Sequence, residues 1–454
     1  MNTKLISRRD VLRTGALGAG AAVLAACAPA ALSPSPSTSG TSASAAPPSG
    51  GPGSSTPPTG YAPPDPNTTA KLTVLTYGNA NDQSRVAGAN IRFKQRFPNV
   101  TIDTIFNPIK TWGEYNAKIL ALVAAGQVPD VITVAIEGSR RVVKDDLMYP
   151  LDDYLAKDPS AADLTRDVHP TLFNALKVND KTYLAPFDWN NMVIFYNTKI
   201  FSDMGVPFPQ AGWTWDDFLD AAKKTTTAAH FGFGLPYFNF GMTPWWITNG
   251  TYEVTDDWQH SNLNDPKMAE AATFIRDLVT LHKVSPAPAG VDIYNLFPAN
   301  KLAMIGGGGW PIGGLKAAGN KNYDVVEWPK KAASGTVIGV GGYGISKATT
   351  QKDLGWELVK EYTSAATIAE TLAGGGMPVR RSIIEGPVFL AEPKNAGLFE
   401  KSLDTAKPVA APWFFNDLER LVLRAMDEIL SGAKTPQQAL LDAHNELETV
   451  IAAG

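Results

Sequence analysis

Glu137 and Asp188 are the residues best placed for chemistry. Glu137 follows the β-branched run PDVITVA and Asp188 follows YLAP, so both stand at the ends of strand-like segments. In open α/β sheets, strand ends face the ligand crevice. Two carboxylates flanking a bound sugar can cleave a glycosidic bond, one as acid and the other as base or nucleophile. Carboxylates that only accept hydrogen bonds from sugar hydroxyls look the same in sequence, and nothing here separates an acid from a nucleophile. Binding without covalent chemistry is therefore the main reading, and glycoside hydrolysis is the enzyme alternative.

The aromatic residues point the same way. Of 11 tryptophans, Trp112, Trp189, Trp245, Trp246, Trp310 and Trp413 lie in Gly-, Pro- or Asn-rich surroundings. A pyranose has an apolar C–H face that packs on a ring and a hydroxyl rim that needs polar partners. The stretch KLAMIGGGGWP sets four glycines between an apolar, strand-like run and Trp310. Glycines let backbone approach a ligand closely, and Trp310 would supply the flat face. Trp215 and Trp356 fall on helical patterns and are assigned to the core.

Other chemistries find little support. GVGGYG, Gly339 to Gly344, matches the spacing of a dinucleotide loop, but the turn-like ISKATT follows it where a helix start is required. No G-x-x-x-x-G-K-[ST] phosphate loop occurs. The five histidines (His169, His230, His260, His282, His444) are dispersed and form no i, i+4 pair, and Cys27 is the only cysteine. No metal site, cofactor or internal disulfide is expected. The formal charge of −4 gives no electrostatic footprint for nucleic acid.

The elements that must position these residues begin after a long leader. Residues 1–27 comprise a basic start, a short apolar stretch and Cys27. SRRDVLR resembles a twin-arginine export motif, and LAAC resembles a lipobox that makes Cys27 the lipidated residue. Residues 28–70 are rich in Pro, Ser, Gly, Thr and Ala. They bury too little apolar surface to order, and as a tether they would span roughly 35–40 Å. From Lys71 onward, strand-like runs (KLTVLTY, VTIDTIFN, PDVITVA, MVIFYN) alternate with helical patterns, which predicts an open α/β sheet of largely parallel strands. Thr214 with Asp217, and Thr435 with Gln438, have capping-box spacing.

The order of these landmarks resembles the family 1 extracellular solute-binding proteins, the sugar-binding subunits of ATP-binding-cassette importers. The matching pieces run from KLTVLTYGN through GQVPDVI, KTYLAPFDWNNMVIFYNTKIF, WTWDDF, FPANKLAMIGGGGWP and GGYGISKAT to GGGMPVRRS. The resemblance implies a two-lobed, Venus-flytrap-like α/β fold with discontinuous lobes joined by crossing strands. The lobes would be 71–189 with 341–385, and 190–340 with 386–454. Crossings are expected near Asn190–Tyr196, near Val340 and within 385–410.

The same resemblance implies a ligand-binding set: Trp310, Glu137, Asp188, Trp189, Asn190, Asn79, Asp82, Trp245, Trp413, Gly342, Tyr343 and Arg380. Val134 stands where some oligosaccharide binders have a tryptophan. The implied partners are a sugar, the membrane permease of an importer, and a membrane reached through the lipid anchor. Nucleic acid and a second copy of the chain are not expected. A polyol phosphate or a polyamine is the alternative solute.

Overall fold

The computed structural model describes residues 60–78, 80–108, 111–374 and 376–454. The larger sheet grows from the run AKLTVLTY, which forms β1 (Ala70–Tyr77). It pairs in parallel with β2 (Val100–Asn107) and with β3 (Val131–Ala135). All five residues of β3, VITVA, are buried, as expected of a strand covered on both faces. Short strands β4 (Met148–Tyr149), β5 (Lys177–Val178) and β6 (Lys181–Thr182) follow, then β7 (Ala185–Asn191) and β8 (Val193–Asn197). The remaining strands are β9 (Met304–Gly307), β10 (Tyr323–Val326), β11 (Thr336–Ser346) and β12 (Ala406–Pro408).

The eleven-residue β11 is the spine of the larger sheet, whose order is β12-β11-β3-β1-β2 with β4 and β7 also paired to β11. It runs antiparallel to β3, β4 and β7 and parallel to β12. The sheet is therefore mixed, not largely parallel as the strand–helix alternation suggested. The alternation reads only sequence neighbours, whereas β11 enters the sheet from the other half of the molecule. GVGGYG lies inside β11, with a register shift between Gly341 and Gly342, so it is not a phosphate loop.

The second sheet is antiparallel, in the order β10-β8-β9. The chain leaves the first sheet at the end of β7 and enters the second at β8, with Met192 between. Thr336 Oγ1 grips that joint, accepting from the Met192 amide at 3.2 Å and donating to the Met192 carbonyl at 2.5 Å. The chain returns between β10 and β11, and β12 rejoins the larger sheet beside Thr336. Two lobes, each built on its own sheet, are thus joined by three crossing segments. The return is complete at Thr336, slightly earlier than the expected crossing near Val340.

Helices form where their caps and stripes predict. Thr214 and Asp217 make a full capping box at helix Trp215–Lys224. Thr435 accepts from the Gln438 amide at helix Pro436–Ala452, but the Gln438 side chain turns away to Asp442. Only half of that expected box forms. The apolar stripe of helix Phe415–Leu430, including Leu418, Leu421, Val422, Ala425, Met426 and Ile429, is buried.

Candidate functional site

Tyr77, the last residue of β1, donates its hydroxyl to Asp188 on β7, at 3.1 and 3.2 Å from the two carboxylate oxygens. Asp188 lies opposite Gly341 of β11. A Cβ at Gly341 would sit 2.2 Å from Asp188 Oδ1 and 2.3 Å from the Tyr77 hydroxyl, so only glycine lets these groups meet. Burial raises the Asp188 carboxyl to about 7, with Asp82 adding to the shift and Arg85 opposing it.

Arg85 and Asp82 come from helix Ala80–Arg96, which follows β1. The Arg85 guanidinium lies 5.0 Å from the Phe187 ring centroid and 3.8 Å from Asp82 Oδ1. It is buried, and its Nε and Nη1 have no hydrogen-bond partner.

Glu137 is in the first turn of helix Ile136–Lys144, directly after β3. Burial pushes its carboxyl up to about 8, with Glu419 and Asp188 adding to the shift. Glu137 Oε2 has no partner in the protein. An unpaired buried oxygen carries a large desolvation cost, so such atoms in a cleft are poised for a ligand or water.

Helix Phe415–Leu430 brings Asn416 and Glu419 to the same place. The Gly113 amide donates to Glu419, whose carboxyl is pushed up by burial and by Glu114. Asn116 donates to Asn416 at 3.4 Å, while Asn116 Oδ1 is buried without a partner. Beside them Trp112 stands edge-on to Tyr77, 5.0 Å between ring centroids.

The opposite wall is aromatic. Trp310 is the first residue of helix Trp310–Ala317 and is only partly buried. Its ring lies 6.0 Å from Tyr294, 6.2 Å from Phe238 and 6.5 Å from Phe240. Asn190 Oδ1 accepts from the Gly309 amide at 2.9 Å, tying this corner to β7. Gly339 of β11 joins the two walls: Phe240 and Glu137 Oε1 both come within 4 Å of where its Cβ would be. A cavity of about 260 Å³ adjoins the aromatic wall, lined in part by Pro236, Phe238, Val291 and Tyr294.

The structure thus brings together Glu137, Asp188, Asn190 and Trp310 from the expected set, with Asp82 at the edge. Asn79 and Cys27 lie outside the described residues. The other expected residues are placed elsewhere. Trp189 is buried and donates Nε1 to the Pro378 carbonyl at 3.0 Å. Trp245 is fully buried in an aromatic core with Trp215, Phe218, Phe274 and Trp328, at centroid distances of 5.0 to 5.3 Å. Tyr343 is buried beneath the sheet against Phe187 and Tyr362, and Gly342 packs on Leu184.

Arg380 spends its guanidinium on the carbonyls of Thr363 and Asp163. Trp413 lies under Lys144, its centroid 3.6 Å from Nζ. The glycines before Trp310 are buried too. Gly306 and Gly307 belong to β9, where added Cβ atoms would strike Trp328 and Pro311, and one at Gly308 would strike Trp310 and Asn190. The close approach they permit is to protein atoms.

Sequence reading missed Tyr77, Arg85, Asn116, Asn416, Glu419, Phe240 and Tyr294. Arg85, one turn after Asp82, had a readable signal. Asn416 and Glu419 did not, because they arrive from some 300 residues away. Among the described residues, no group of three or more His, Cys, Asp or Glu could hold a metal ion. No described helix is long and apolar enough to cross a membrane.

Comparison with known proteins fits this architecture. Residues 77–369 match the family model described as bacterial extracellular solute-binding protein. A maltotriose-binding protein of Pyrococcus abyssi is 23% identical over 333 residues, covering 71% of this chain and 69% of that one. The solute-binding protein Lmo0181 of Listeria monocytogenes, solved with cycloalternan, superposes with TM-score 0.77 at 22% identity, over 85% of this chain and 100% of that one. UgpB of Mycobacterium tuberculosis, solved with glycerophosphocholine, superposes with TM-score 0.72 at 18% identity, over 85% and 99% of the two chains. With the family model spanning most of the folded body and the two-sheet, three-crossing architecture in agreement, this chain belongs to the bacterial extracellular solute-binding proteins.

Proposed function

We propose that this protein captures a carbohydrate between its lobes and delivers it to the permease of an ATP-binding-cassette importer, held at a membrane surface by a lipid on Cys27. On this reading the lobes, expected at 71–189 with 341–385 and 190–340 with 386–454 but exchanging strands at Met192 and Thr336, face each other across a cleft with Glu137, Asp188 and Glu419 along one wall and Trp310 on the other. The observation that carries the reading is this opposition: buried carboxylates, one with a free oxygen, across from a partly exposed tryptophan in an aromatic cluster. A sugar presents both complementary surfaces at once. A solute touching both lobes stabilises only their closed arrangement, which couples binding to closure. The maltotriose and cycloalternan relatives support a saccharide.

UgpB, with its glycerophosphocholine, favours a phosphodiester as the second reading. Phosphate recognition calls for converging cations, and in the site as described Arg85 is the buried cation, already beside Asp82 and Asp188. The acidic majority supports the sugar. The test is thermal unfolding against a panel of mono- and oligosaccharides, polyols, polyamines and glycerophosphodiesters. A saccharide at 100 times its dissociation constant should stabilise the protein by about 2.7 kcal/mol. Stabilisation by a phosphodiester alone, or release of products from a saccharide, would overturn the reading.

A further inference from the structure

On the outer side of the carboxylates, helix Ile136–Lys144 presents two cations to rings carried by the other half of the molecule. Arg140 lies over Trp258, with its guanidinium carbon 3.8 Å from the ring centroid. One helical turn later, Lys144 Nζ lies 3.6 Å from the centroid of Trp413. The helix continues directly from β3 of the larger sheet. Trp258 sits in the loop between helices Asn239–Thr248 and Pro266–Thr280, and Trp413 immediately precedes helix Phe415–Leu430. Both rings therefore belong to the lobe built on the smaller sheet.

Several observations mark the contact as more than incidental. Arg140 has no carboxylate within ion-pairing distance among the described residues, and its Nη1 is buried without a hydrogen-bond partner. The Trp258 ring is its charge-complementary neighbour. Trp258 itself has φ of +58°, the left-handed region that a bulky side chain occupies only when its surroundings enforce it. That enforcement is visible: Thr255 and His260 close the loop on themselves, and Glu448 of helix Pro436–Ala452 accepts from the Ser261 amide at 2.6 Å. A strained loop is braced so that its ring meets the guanidinium. Lys144 also donates to the Gly454 carbonyl, a second hold on the same lobe.

We propose that Arg140 and Lys144, stacked on Trp258 and Trp413, form a cation–π clasp that holds the lobes together from outside the ligand site. These are positioning residues: they touch no ligand and bias the equilibrium between open and closed arrangements. The clasp raises the closed population of the free protein, and so the affinity for any solute recognised only by the closed form. The proposal rests on the reading that the solute lies between the lobes, but its test needs no solute.

Nitroxide labels are placed on cysteines introduced at exposed Lys94 and Lys316, one on each lobe, in the full chain carrying Cys27→Ser. Pulsed electron resonance then gives the interlobe distance distribution. The double variant Arg140→Met, Lys144→Met keeps an unbranched, flexible side chain at each position and removes both charges. It should shift the distribution to longer distances, while Arg140→Lys should stay near the parent. An unchanged distribution in the double variant overturns the proposal, whatever the sugar panel shows. An equal shift in Arg140→Lys would also overturn it, because loss of packing and not of charge would then be responsible. Thermal unfolding of each variant checks that the fold survives.

Discussion

At the scale of single residues, the site is a set of polar groups buried at a cost that a bound solute can offset. Trp310 is a ring left partly open at the aromatic wall, and Trp310→Ala should weaken saccharide binding about tenfold or more while leaving the unfolding temperature near its original value. Calorimetric titration with the saccharide found by the panel checks this, and unchanged affinity would remove the stacking role. Glu137 yields a pH prediction. Its carboxyl is raised to about 8 in the folded protein by burial, whereas an unfolded glutamate titrates near 4.3. The folded state therefore holds the proton more tightly. The associated stability is fully present below about pH 4 and is lost as pH rises towards 8. Glu137→Gln should flatten the decline in stability between about pH 5 and 8, seen in denaturant titrations across that range. A slope identical to the parent protein would mean that Glu137 is ionised in the fold.

At the scale of elements, the instructive residues are those whose local pattern was read correctly and whose neighbours were not. GVGGYG was excluded as a nucleotide loop because no helix follows, and it does open no helix. Nothing local marks it as a strand either, because its glycines carry no β-propensity. Here they serve a strand on which Asp188, Tyr77 and Leu184 crowd from both faces. Trp245 shows the reverse error. Its Gly-, Pro- and Asn-rich surroundings suggested a cleft, but the helix Asn239–Thr248 is buried along its whole length. Trp245→Phe should lower stability by about 1–3 kcal/mol through lost packing, with saccharide affinity changed less than twofold. A large affinity loss without destabilisation would return Trp245 to the ligand set.

At the scale of the whole molecule, two lobes are joined by three short crossings, and the proposed capture of a solute needs these crossings to act as a hinge. The proposed lipid anchor on Cys27 belongs to this scale. Cys27→Ser should shift the protein from the membrane fraction to the soluble one, and retention in membranes would argue against lipidation. Much of this plan was written in the chain itself. Helix caps, buried stripes and the strand–helix alternation are encoded within a few turns of sequence, because hydrogen bonding and periodic burial act between near neighbours. The candidacy of Glu137 was equally local, since it follows directly on β3; Asp188 was singled out on the same ground but lies in the middle of β7, opposite Gly341. Tertiary structure alone decided the direction of β11, which of the tryptophans stayed open, and the arrival of Asn416 and Glu419 beside Trp112. Those outcomes depend on contacts between segments hundreds of residues apart, and the entropy of closing such loops grows too slowly with length to favour one partner over another. Complementary packing makes that choice.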